Sequence, residues 1–142
     1  MHKRKQLRDR VHHILCELDY SVFSNRIHKL SDEQAPALMI YLSDEEPLEG
    51  VNQKQYTGII DVELRIECVA KVNDSFSDVL DQMLFDVQEV MTAERSSEEL
   101  DSLSNLSIGY MYGGLEEVGA EAGELDVGSQ TIIYTIHYEQ EL

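Results

Sequence analysis

A chain of 142 residues and 16.2 kDa, 42% hydrophobic and 27% charged, is the size of one domain and long enough to bury a core without disulfide staples. Its 28 Asp and Glu against 11 Lys and Arg give a formal charge of −17. That balance opposes broad binding to nucleic-acid phosphates and to anionic membrane surfaces. Two cysteines, Cys16 and Cys68, are too few for a disulfide framework and suit a reducing compartment. The basic opening could begin a signal peptide, but His12, His13 and Glu17 spoil the apolar stretch that would have to follow. The longest apolar run is the six residues Ala37–Leu42, far short of a bilayer span. The expectation is a soluble, non-secreted domain. Charge is unevenly spread: residues 1–30 carry a surplus of four positive charges and the rest of the chain carries −21.

In chain order, Leu7, Val11, Ile14, Leu15 and Leu18 fall on one stripe at about 100° per residue, which predicts an amphipathic helix over residues 3–19. Lys5, Arg8, His13 and Cys16 lie off that stripe. Residues 20–30 read as irregular, with a short strand around Val22 and Phe23. Pro36 opens a strand over Ala37–Leu42 that is apolar throughout and so is expected to be buried on both faces. Residues 43–50 form an acidic loop with Pro47. Then Ile60, Val62, Leu64, Ile66, Cys68 and Ala70 alternate with Asp61, Glu63, Arg65, Glu67 and Lys71, and Val69 is the one apolar exception. This is a strand with one core face and one polar face.

Asn73-Asp74-Ser75 is a helix-capping cluster. The helix behind it carries Phe76, Val79, Leu80, Met83, Leu84, Val87, Val90 and Met91 on one stripe. Residues 94–104 are polar and predict a short helical turn. Leu106, Ile108, Tyr110 and Tyr112 alternate as a strand closed by Gly113-Gly114. Residues 115–126, with five acidic residues and no basic one, predict a mobile loop. Ile132, Tyr134, Ile136 and Tyr138 mark the last strand. The order α-β-β-α-β-β defines a single α+β domain, two helices packed on a largely antiparallel or mixed sheet.

Candidate chemistry is sparse. No glycine pattern sits in the strand–turn–helix setting that cradles phosphate, and no Gly-x-Ser-x-Gly elbow occurs. Cys68, on an apolar strand face, reads as a core residue and not a nucleophile. His12 and Cys16 share a helical i,i+4 spacing but lack the two further ligands that zinc needs. His13 and Glu17, at the same spacing, read as a surface pair. The clusters Asp44-Glu45-Glu46, Glu98-Glu99 and Glu116-Glu117 contain no Lys or Arg, so a solvated acidic surface is favoured over a phosphoryl-transfer site. No cofactor is expected beyond loosely bound Mg²⁺ that screens repulsion during assembly. A basic end and an acidic body also suit head-to-tail contact between copies. Charge alone does not separate that use from a merely solvated terminus.

Four stretches together resemble the tail terminator proteins of long-tailed bacteriophages, the minor tail protein U type of lambda-like phages. They are the opening helix with Leu7, Arg8, Val11, Ile14 and Leu15, and the strand Ala35-Pro36-Ala37-Leu38-Met39-Ile40-Tyr41-Leu42. The third is the alternating strand through Val62-Glu63-Leu64-Arg65-Ile66-Glu67 with the helix ending Val90-Met91. The last is the ending Ile132-Ile133-Tyr134-Thr135-Ile136-His137-Tyr138-Glu139. The likeness runs in order from near residue 5 to near residue 140. It departs in residues 43–55 and 115–126, so contacts carried by those loops do not transfer.

The resemblance implies a non-enzymatic virion protein, expected at the head–tail junction and in the host cytoplasm during assembly. It implies a ring of copies, hexameric in the family, that caps the tail tube, ends its polymerisation and offers a surface for head joining. Its partners would be further copies of itself, the tail tube protein and a head completion or connector protein, with DNA passing through the ring and no membrane contact. Lys5, Arg8 and Arg10 on the basic side, and Glu116, Glu117, Glu121, Glu124 and Asp126 on the acidic side, are the candidate interface residues. Reversing charge at Arg8 and Arg10 is expected to weaken the ring. Competing readings are a related neck or tail-completion protein, a small acidic adaptor, and a Mg²⁺-dependent hydrolase with carboxylates converging at strand ends.

Overall fold

The computed structural model describes residues 3–24, 36–42, 46–47, 59–71, 76–100, 102–107, 109–118 and 127–139. Along the chain these form α1 (Lys3–Leu15), β1 (Ser21–Ser24), β2 (Ala37–Leu42), β3 (Glu46–Pro47), β4 (Ile59–Lys71), α2 (Phe76–Glu94), α3 (Leu103–Leu106), β5 (Gly109–Val118) and β6 (Val127–Glu139). The architecture is α+β, helices on a mixed sheet. The strands run β1-β2-β4-β6-β5, with the two-residue β3 alongside β4. β1 and β2 are parallel, and every other pairing is antiparallel.

The long antiparallel pair β4–β6 is the spine of the sheet, in unbroken register from Ile59 opposite Glu139 to Lys71 opposite Val127. Period-2 alternation sends Ile60, Val62, Leu64, Ile66, Cys68 and Ala70 to one face, where Ile132, Tyr134, Ile136 and Tyr138 join them. On that face Leu7, Val11, Ile14 and Leu15 of α1 and Leu80, Met83, Leu84, Val87 and Met91 of α2 complete the core. Each such large apolar side chain contributes roughly 1.5–3 kcal/mol when fully buried. Removing one from the middle of the spine, as in Leu64→Ala, would cost about 2–5 kcal/mol.

The opposite face has its own small cluster: Ala37, Met39 and Val69, with Phe23 and Tyr41 against them. This accounts for two features of the sequence. β2 is apolar throughout because Leu38 and Ile40 face the helices while Ala37 and Met39 face away, all four buried. Val69 breaks the alternation of β4 because it sits opposite Ala37 in this second cluster.

Element boundaries differ from the sequence expectation at several points. α1 stops at Leu15, and the chain tightens through bonds from the Glu17 and Leu18 amides to the Ile14 and Leu15 carbonyls. Leu18 still packs against the core. Within the expected acidic loop, Glu46 and Pro47 form β3, paired with Asp61 and Ile60. Gly113-Gly114 does not close β5. A bulge lies between Tyr112 and Gly114, and pairing with β6 resumes from Gly114 opposite Ile133 to Val118 opposite Ser129. Gly114 has φ +124°, and a Cβ on Gly113 would lie 3.3 Å from the Ile133 carbonyl oxygen, so both positions favour glycine. Residues 115–118 are therefore strand and not loop. The remainder of that acidic segment, residues 119–126, and the capping cluster at Asn73-Asp74-Ser75 lie outside the described residues.

The carbonyls at the end of α2 are all accounted for. Those of Thr92, Ala93 and Glu94 accept from the amides of Arg95, Ser96 and Ser97, and that of Met91 accepts from the Tyr110 hydroxyl at 2.5 Å. The last bond fastens β5 to the helix layer. No helix among the described residues is long and apolar enough to cross a membrane.

Candidate assembly surface

The residues that charge patterning marks for contact fall into three groups. Lys5 and Arg8 lie on the outward side of α1. Lys5 is exposed and pairs with Asp9 one turn on, while Arg8 is half-buried and makes no ion pair among the described residues. Glu116 and Glu117 stand in β5 opposite Thr131 and Gln130. Glu121, Glu124 and Asp126 lie outside the described residues.

Arg10 corrects the expectation. It does not stand on the surface: its side chain is 6% exposed, and its guanidinium is spent inside the subunit. Nε and Nη2 donate to the two carboxylate oxygens of Glu94 at 2.6 and 3.1 Å, and Nη1 lies 2.8 Å from Glu99 Oε2. Glu94 Oε1 also accepts the Leu103 amide at 3.0 Å. One carboxylate at the end of α2 thus ties α1 to the start of α3. The physical reason is position. Arg10 follows Leu7 by three residues and precedes Ile14 by four, so it lies on the buried stripe and must be paired there. Charge reversal at Arg10 would test folding, not assembly.

Helix α1 rests over the β1–β2 end of the sheet. His12 Nδ1 is 2.7 Å from Ser24 Oγ, and Arg4 Nη2 donates to the Leu42 carbonyl at 2.9 Å. α1 is thereby tied to β1 and β2 through His12 and Arg4. β5 forms the other end. Beside it, Arg95 donates to the Tyr110 carbonyl at 3.1 Å and stands 5.0 Å over the Tyr110 ring. Tyr110 and Tyr112 each meet the Tyr134 ring edge-on. Beyond these rings β5 turns apolar side chains to solvent: Met111 is 61% exposed, Tyr112 48% and Leu115 45%.

Apart from the Arg10–Glu94 ion pair, several buried or half-buried ionisable groups are shifted toward their neutral forms. Burial, reinforced by neighbouring Glu67, pushes the Cys68 thiol up to about 12. Burial, then Tyr110 and Tyr112 beside it, pushes Tyr134 up to about 12. Burial also raises Tyr20, as do its hydrogen bond to Asp86 and the charge of that carboxylate. Glu67, on the face away from the helices, is raised by burial. A thiol so disfavoured as thiolate is inert, which agrees with Cys68 as a core residue. Cys16 is exposed. Among the described residues no group of three or more His, Cys, Asp or Glu side chains could hold a metal ion.

Residue types alone did not mark Met111, Tyr112 and Leu115 as surface. Tyr112 alternates correctly for a core strand, and what exposes it is the place of β5 at the end of the strand order. Strand order leaves no local signature in the sequence. No protein-family model matches the chain, and no curated protein matches it.

Proposed function

We propose that the protein is a tail terminator: a non-enzymatic subunit that assembles head to tail into a ring, caps the tail tube of a long-tailed bacteriophage and presents a surface for joining the head. The observation that carries this reading is the opposite charge of the two ends of one sheet. α1, with Lys3, Arg4, Lys5 and Arg8, lies over β1 and β2, while β5 at the other end of the sheet carries Glu116 and Glu117 and no Lys or Arg in its own sequence, with Arg95 beside its start at Tyr110. Unlike ends on one rigid body attract in a heterologous sense, and such contacts make a ring when the rotation closes. The order and spacing of helices and strands, which resemble the terminator pattern, support the same reading.

The acidity of the chain fits a ring through which DNA must slide without being held. A lining of carboxylates repels phosphate. Six chains at −17 bring about −100 into one particle, so assembly responds to salt and to divalent cations that screen the repulsion. The test is to add the purified protein to tail tubes that are still elongating and to follow tube length by electron microscopy. Capped ends and arrested growth are expected. Tubes that keep growing at saturating protein, with bare ends, would refute the function.

A further inference from the structure

We propose that the outer edge of β5, over residues 112–118, is a strand-docking site whose occupant is a second copy of this chain presenting the β1 end of its sheet. The inference rests on the ring reading and names the contact that would build it.

β5 is the terminal strand of the sheet, and among the described residues no strand pairs with its outer edge. An open edge offers a row of alternating N–H donors and C=O acceptors, which only another extended segment satisfies. Such edges are commonly blunted by charged residues, above all Lys, by Pro, by shortness or by bulges. β5 has ten residues and carries neither Lys nor Pro. Arg95 guards the Tyr110 carbonyl, the bulge at Tyr112/Gly114 bends the strand beyond it, and among the described residues nothing pairs with the edge from there to Val118.

The side chains flanking that stretch fit a strand laid along it. Met111, opposite Thr135, faces away from the helices, whereas Tyr112 and Leu115, opposite Tyr134 and Ile132, face the helix side. The apolar exposure therefore straddles the edge, and a docked strand would cover it from both faces of the extended sheet. The Gly113-Gly114 bulge adds no side chain to obstruct approach.

Charge selects the occupant. β5 carries Glu116 and Glu117 and no cation, so two β5 edges meeting each other would bring like charges together. The opposite edge of the sheet is β1, four residues that pair only with β2 among the described strands, beneath the basic helix α1. Placing β1 of one copy against β5 of the next sets the basic helix α1, which lies over β1, beside a strand whose sequence carries Glu116 and Glu117 and no cation. The contact joins unlike surfaces, so it repeats from copy to copy until the ring closes.

Hydrogen–deuterium exchange on the full-length protein, at dilute and assembling concentrations with Mg²⁺, reads both edges at once. In the assembled species, amides of residues 112–118 and of Ser21–Ser24 should exchange about tenfold more slowly or better than in the free subunit. A ring that forms while β5 exchanges as in the free subunit would overturn strand docking and leave the ring reading standing. Protection of β5 without β1 would overturn the head-to-tail occupant. Protection of β5 only when tail tubes are added would assign the edge to a strand of the tube protein and overturn self-docking. No assembly and no protection under any of these conditions would sink this inference together with the ring. As a second arm, Met111→Lys with Leu115→Lys alters two exposed side chains and should leave the thermal midpoint unchanged while the oligomer is lost. Retention of the oligomer in that variant would also overturn the proposal.

Discussion

The two ends of the sheet treat charge and apolar surface in opposite ways. At the β1–β2 end, α1 covers the strands, and the one cation on its inward stripe, Arg10, is held by Glu94 and Glu99. At the β5 end, apolar side chains stand in solvent, with Glu116 and Glu117 further along the same strand. Inside the subunit a charge is tolerated only with its partner beside it, because an unpaired buried ion costs several kcal/mol. Outside, unsatisfied strand edge and exposed apolar area are free to be satisfied by another chain. A substitution at the first end should therefore register as stability, and one at the second as association.

The largest effect is expected of Arg10→Ala. It strands the Glu94 carboxylate in the core, and equilibrium urea unfolding should record a loss of about 3–5 kcal/mol. A loss below ~1 kcal/mol would mean that α1 and α2 are not joined through this pair. Glu94→Gln keeps an oxygen for the Leu103 amide but loses the charge opposite Arg10, so a smaller loss of about 1–3 kcal/mol is expected in the same assay.

Alkaline titration comes next in size. Tyr134 and Cys68 have folded-state values raised to about 12 from ordinary values of 10.0 and 9.0. The folded state then holds protons that the unfolded chain has released. The stabilisation is complete below pH 9 and is lost as pH rises from 9 through 12. Unfolding midpoints should fall across that window, and midpoints that stay level would contradict the burial of these groups. Glu67 is raised by burial alone, so Glu67→Gln removes a carboxylate that is costly in its charged form and should lift the neutral-pH thermal midpoint. Lys5→Ala, which removes an exposed i,i+4 pair with Asp9, should change stability by no more than about 0.5 kcal/mol.

The layered fold was legible because its signals are periodic. The alternation of β4 and β6 and the stripe of α2 each specify a face without reference to anything distant. Val69 was visible as an exception, but its reason required β2 to lie beside it. Arg10 was legible in principle, since its offset from Leu7 and Ile14 places it on the buried stripe. Grouping it with Lys5 and Arg8 by charge obscured that position. The continuation of β5 past Gly113-Gly114 was misread because paired glycines end strands as readily as they bulge them, and only the register with β6 distinguishes the two. Met111 is off the helix face by the alternation of its strand, but the exposure of Tyr112 and Leu115, which lie on that face, depends on strand order, a global property of the fold.

The central claim, that unlike ends of one sheet join copies into a ring, is tested most directly by native mass from light scattering, at low and high concentration and with and without Mg²⁺. A species of about six times 16.2 kDa that grows with concentration and Mg²⁺ is expected. A stable two-fold dimer, or a monomer at every concentration, would contradict it.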